Sequence, residues 1–142
     1  MPIRNAIAVW QGNLASGKGT VELGSGMFKG EYSFPSRFES GKGTNPEELI
    51  GAAHAGCFSM ALSAILSKEG HTPERIQTEA KVHIDKVGDG FSITKIELVC
   101  EAEIPGMENA RFLIYAEEAK KGCPVSRALA GTEITLKADL KG

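Results

Sequence analysis

The chain has almost no excess of charge. Sixteen Lys and Arg stand against 18 Asp and Glu, a formal net charge of −2, and no block of like charge interrupts the mixture. Nucleic acid and anionic membrane surfaces are therefore excluded as partners, because both are captured by clustered positive charge. The first residues lack a basic start followed by an apolar run, so no secretory signal is read. Cysteine is scarce and odd in number, three residues in all. Without an export signal, that excludes a structural disulfide framework and implies free thiols in a reducing, cytoplasmic setting. Neither a C-x-x-C nor an H-x-x-x-H pair occurs, which removes the usual spacings for a metal site. No linker or low-complexity tract divides the 142 residues, so they read as a single domain, 1–142. The tetrapeptide GKGT occurs at 17–20 and 41–44, but nothing around it repeats. It is turn chemistry used twice.

Residues 49–66 form an 18-residue run without a formal charge, near the lower limit for a membrane-spanning helix. The run is rich in Ala, Gly and Ser, contains His54, and has few large apolar side chains. It reads as a helix buried in a soluble core. Its start is marked by Asn45 as N-cap, Pro46 at the first helical position and Glu48 placed to close a capping box. Gly70 marks its end.

Before this helix, glycines punctuate short strands at about 7–10 and 20–23. After it, Ala80, Val82 and Ile84 alternate with charged residues, and beyond Gly88-Asp89-Gly90 so do Ile96, Leu98, Cys100, Ala102 and Ile104. That is a hairpin with one buried face. A second helix is expected at about 108–121, a short one from Pro124, and a last strand carrying Ile134, Leu136, Ala138 and Leu140. Strands, helix, hairpin and helices in this order predict an α+β fold rather than a doubly wound sheet.

Cys100 falls on the apolar face of its strand and reads as core. Cys57, among Ala53, Met60, Ala61 and Ala64, reads equally well as packing or as function. Cys123 lies between a helix-ending Gly122 and Pro124, at a helix N-terminus where the backbone dipole favours a thiolate. A thiolate at Cys57 would need a cation to offset its apolar setting. Arg37, between Phe34 and Phe38, is the suitable one, because it stays protonated and holds a rigid fork of donors. A carboxylate must orient it in turn. Glu48 precedes Cys57 by nine positions and falls on the opposite helix face, whereas Glu47, ten positions away, lies about 80° from the cysteine direction. Glu47 is therefore preferred. Ten helical residues span about 15 Å, so a second subunit is the simplest way to bring both groups to one site. His54, three positions before Cys57, reads as a structural histidine, and His71 and His83 as surface residues.

Four runs carry a resemblance: Arg37-Phe38-Glu39, GTNPEELIGAAHAGCFSMALS at 43–63, DKVGDGFSITKI at 85–96 and KKGCPVS at 120–126. Together they resemble the OsmC/Ohr family over essentially the whole chain, and most closely its osmotically inducible OsmC branch. Gly56 stands where many members carry Ala. The resemblance implies antiparallel sheets around a long buried central helix and an intertwined homodimer with a site shared between subunits. It implies a thiol peroxidase acting on organic hydroperoxides, with Cys57 as the attacking sulfur and Cys123 as the resolving one. Arg37 and Glu47 are implied to prepare the thiolate. No metal, haem, flavin or other cofactor is expected, and the implied reductant is a dithiol or a lipoyl protein. The apolar surroundings expected for an alkyl peroxide are Phe34, Phe38, Phe58 and Met60. Two other readings stand beside the enzyme: a Cys57–Cys123 redox sensor without turnover, and a dimeric binding protein with inert thiols.

Overall fold

The computed structural model describes residues 2–141. They form two compact units, 1–49 and 50–142.

The first unit is built on a three-stranded antiparallel meander of β1 (Ala6–Gln11), β2 (Lys18–Leu23) and β3 (Lys29–Tyr32). Its register pairs Val9 with Thr20 and Thr20 with Glu31. A helix that the sequence reading did not anticipate, α1 (Phe34–Phe38), follows directly. At five residues it is too short to show a periodicity. Local chemistry makes it instead: Ser33 caps it, the Ser36 backbone N–H and the Ser33 side chain bond each other, and Pro35 sits in the first turn. The Ser36 hydroxyl donates to the Thr44 carbonyl at 2.8 Å, which fixes α1 against the entry to the next helix.

That next helix, α2 (Pro46–Lys68), begins as expected. The Glu48 N–H donates to Asn45 Oδ1 at 2.8 Å. The Glu48 carboxylate does not complete the expected box, but accepts the Thr44 hydroxyl at 2.6 Å. At the far end Gly70 takes φ +87°, the left-handed turn that stops a helix.

In the second unit β4 (Arg75–Val87) and β5 (Gly90–Glu103) form the expected hairpin, closed between Val87 and Gly90 with Gly88 at φ +62°. The last strand, β6 (Glu133–Lys141), lies parallel to β5 and pairs Ile96 with Ile134 and Leu98 with Leu136. This sheet is therefore mixed, not purely antiparallel. The reason is the connection: α3 (Asn109–Gly122) and α4 (Pro124–Ala128) carry the chain back across the sheet, which a parallel pair requires.

The core joins Ile96, Leu98, Cys100 and Ala102 of β5 to Phe58, Leu62 and Leu66 of α2 and to Phe112, Ala116 and Ala119 of α3. Cys100 is packing, as its strand position implied. The central helix is buried along one stripe only. His54, Phe58, Leu62 and Leu66, four apart, are fully enclosed. On the other side Ala52, Ala53, Gly56 and Ala64 are exposed, and Met60 is 76% exposed. By length and composition α2 is apolar enough to cross a membrane, but its enclosed stripe is committed to the protein core.

Candidate active site

In the second unit α2 and the α3–α4 junction bring two cysteines together. Cys57 projects from α2, and Cys123 serves both as C-cap of α3 and as N-cap of α4. Both thiols are free, and Cys123 lies close enough to act on Cys57. The first turn of α4 acts on both sulfurs. The Val125 N–H acts on Cys57, and the Ser126 N–H donates to Cys123 Sγ at 3.3 Å. Pro124 begins this turn, where a missing N–H costs nothing, and the next two amides face the sulfurs.

The two cysteines differ in exposure. Cys123, although at a helix start, is fully enclosed, whereas Cys57, in its apolar helix, keeps partial access. Burial pushes the Cys57 thiol above its ordinary range. The Val125 N–H works against this rise, and the neighbouring Cys123 adds to it. None of the groups acting on it is a cation.

His54 was read as structural, and it is fully buried one turn before Cys57. It is not isolated, however. Its Nε2 lies 2.7 Å from the Ser126 hydroxyl, which in turn accepts the Cys123 thiol at 3.3 Å. Ser126 escaped the sequence reading because nothing in a lone Ser after Cys-Pro-Val marks it. Its position at N3 of α4, facing its own N-cap, is the signal in retrospect.

The other two expected residues meet in the first unit. Arg37 Nε donates to Glu47 Oε1 at 3.1 Å, and Nη2 donates to Oε2 at 2.9 Å. This is the two-point contact expected of an orienting carboxylate. Glu47 is enclosed and Arg37 is about one-third open. The pair engages Nε and Nη2, so Nη1 lies outside it. It is Glu47 that Arg37 meets; the Glu48 carboxylate is engaged by Thr44.

Arg37 also lines a cleft of about 240 Å³ with Trp10, Leu14, Tyr32, Phe34 and Phe38. Phe34 and Phe38 stack in a tilted pair at 5.0 Å, Trp10 and Tyr32 at 5.5 Å, and the guanidinium lies 5.2 Å from the Phe38 ring centre. Of the four apolar wall residues expected, Phe34 and Phe38 line this cleft. Phe58 is core and Met60 lies on the open side of α2. Trp10 and Tyr32 were missed, because glycine-punctuated strands do not reveal which faces meet.

The family model for OsmC-like proteins matches residues 39–138. The chain belongs to the OsmC family. It is 53% identical to the Peroxiredoxin OsmC of Escherichia coli over 135 residues, 94% of each chain. It is 34% identical to an organic hydroperoxide resistance protein of Xanthomonas axonopodis over 98 residues, 68% of this chain and 67% of the relative. The fold is shared with an OsmC-like protein of Vibrio cholerae at a TM-score of 0.77 and 21% identity, covering 97% of this chain and 99% of the other. It is also shared with an organic hydroperoxide resistance protein OsmC of Legionella pneumophila at 0.72 and 24% identity, covering 100% of both. The OsmC match includes Glu47, Cys57 and Cys123 and begins two residues after Arg37. Among the described residues of this OsmC chain, no group of His, Cys, Asp and Glu is arranged to hold a metal ion.

Proposed function

We propose that this OsmC-family protein is a cysteine peroxidase that reduces organic hydroperoxides to alcohols in the cytoplasm. The observation that carries this reading is the Cys57–Cys123 pair: one partly accessible thiol beside one enclosed thiol that acts on it. The Cys57 thiolate attacks the O–O bond, an alkoxide leaves, and Cys57 becomes a sulfenic acid. Cys123 condenses with it, water departs, and a disulfide remains. A dithiol or lipoyl-type reductant then restores both thiols by exchange. Arg37, fixed by Glu47, supplies the positive charge that the Cys57 thiolate lacks and that the departing oxygen needs. The aromatic cleft beside Arg37 favours an alkyl or aryl peroxide over hydrogen peroxide.

The proposed working form is a homodimer whose sites take residues from both subunits. The open side of α2 supports it. Ala52, Gly56 and Met60 follow one another at four-residue spacing, and a Cβ added at Gly56 meets nothing within 4 Å. Small residues on an exposed apolar stripe allow a second helix to approach closely. Met60→Glu places a charge in that seam. It is expected to convert the dimer to monomer in analytical ultracentrifugation at micromolar concentration and to lower peroxidase activity at least tenfold. A variant that stays dimeric and active would show that this stripe is not the interface.

Steady consumption of cumene hydroperoxide with dihydrolipoamide tests the enzyme reading. Many turnovers per subunit are expected. A single stoichiometric oxidation that then stops under excess dithiol would mark a redox sensor, and no oxidation at all would mark an inert binding protein.

A further inference from the structure

The residues behind Cys123 form a polar chain inside an otherwise apolar core. The Cys123 thiol donates to Ser126 Oγ at 3.3 Å, and Ser126 Oγ lies 2.7 Å from His54 Nε2. All three residues are enclosed, Ser126 at 5% exposure and the other two at zero. The remaining ring nitrogen, His54 Nδ1, is buried and has no hydrogen-bond partner among the described residues. A histidine kept only to fill space would be replaced at less cost by an apolar residue, since each unpaired buried polar atom carries a desolvation penalty.

The direction of the chain follows from its donors. The thiol uses its hydrogen on Ser126, so the serine hydroxyl keeps its own hydrogen for the next acceptor, and His54 Nε2 stands there. In that direction His54 takes part as the neutral Nδ1–H tautomer, the form whose Nε2 accepts. With the thiol hydrogen turned toward Ser126, a sulfur lone pair of Cys123 remains for Cys57.

We propose that Ser126 and His54 form a proton relay for the resolving half of the reaction, drawing the proton from Cys123 as its sulfur attacks the Cys57 sulfenic acid. The inference rests on the peroxidase reading above. The S–S bond forms as the S–O bond of Cys57 breaks. The Cys123 proton passes to Ser126 Oγ while the serine proton passes to His54 Nε2. The hydroxide expelled from Cys57 takes up one proton as the relay resets, so the sum is one disulfide and one water. Cys123 is oxidised and the sulfenic sulfur is reduced, with no further oxidant. Burial holds the His54 imidazole below its ordinary pKa, and no partner at Nδ1 steadies a cation. The charged ring is therefore brief, and the proton returns.

Ser126 touches the reacting sulfur, whereas His54 acts through it and is a positioning residue. Two measurements test the relay. In the reduced wild-type protein, long-range ¹H–¹⁵N spectra of the three histidines report the His54 tautomer, whatever the peroxidase assay shows. Nδ1–H is expected, and an Nε2–H tautomer would overturn the relay, because Nε2 could not then accept. In rapid-quench mass spectrometry with one equivalent of cumene hydroperoxide, the Cys57 oxidation step and the disulfide step are read separately. His54→Gln can still bond Ser126 but cannot carry the proton. It and Ser126→Ala are expected to slow disulfide formation about tenfold or more, to leave Cys57 oxidation within about twofold of wild type, and to accumulate sulfinic acid. Ser126→Thr, which keeps the hydroxyl, should recover most of the rate. Disulfide formation at the wild-type rate in both His54→Gln and Ser126→Ala would sink the proposal. Failure of wild-type Cys57 to react with peroxide would instead sink the peroxidase reading.

Discussion

Cys57→Ser is expected to lower peroxide consumption by at least about a thousandfold, the loss that follows from removing the single nucleophile of a covalent mechanism. Serine keeps the shape of the side chain but not its chemistry, since a hydroxyl is neither ionised near neutral pH nor soft enough to attack an O–O bond. Cys123→Ser is expected to behave differently. Its Cys57 still reacts once with an equivalent of hydroperoxide, because the Val125 amide that faces Cys57 is backbone and survives the substitution. The sulfenic acid then has no resolving sulfur. With excess peroxide it advances to sulfinic acid, and activity decays within the first few turnovers. Intact-mass spectra after one and after ten equivalents of peroxide check both statements. If Cys123→Ser cycles at the wild-type rate with a dithiol too bulky to reach Cys57, the resolving role is wrong. If Cys57→Ser retains activity, another sulfur attacks. Cys100 is a poor substitute, because it is fully enclosed and burial holds its thiol above the usual range.

The contrast between these cysteines shows where the sequence was legible. Period-two alternation in β4 and β5 placed Cys100 in the core without ambiguity, because a strand has only two faces and one was visibly apolar. The start of α2 was equally readable, since Asn45, Pro46 and a following acidic pair leave few alternatives. Glu47 was separated from Glu48 by helical angle alone, and the bond to Arg37 agrees. What could not be read were features made by meeting surfaces. The parallel pairing of β6 depends on where two helices deliver the chain. The relative access of Cys57 and Cys123 depends on how α4 packs, which local position alone does not show. Ser126 and His54 are 72 positions apart, and neither carries a motif that announces the other. The resemblance marked the cysteines but was silent about what lies behind them.

Arg37→Ala is expected to lower peroxidase activity at neutral pH at least about tenfold and to change its pH dependence. Burial already lifts the Cys57 thiol above its ordinary range, with only a backbone N–H acting downward. A guanidinium close to a thiolate moves its pKa down by roughly one to three units, and each unit is a tenfold change in thiolate fraction below the pKa. The sign follows directly. Without the cation the thiol stays protonated at neutral pH, so activity is lost there and returns as pH rises through the thiol's elevated pKa. The variant should therefore gain close to tenfold per pH unit across the range where wild type is nearly flat. Arg37→Lys keeps the charge but gives up the fork that holds Glu47 at two points, and it should fall between. Arg37→Ala also strands an enclosed carboxylate at Glu47, which destabilises the fold independently of any effect on Cys57. The double variant Arg37→Ala/Glu47→Ala removes that stranded charge, and urea unfolding of both variants separates the two effects. Alkylation of Cys57 by iodoacetamide against pH, followed in the Cys123→Ser background, reads the thiol itself. A wild-type alkylation profile in the double variant would take Arg37 out of the site and leave the Cys57 thiolate to be explained by the α4 backbone alone.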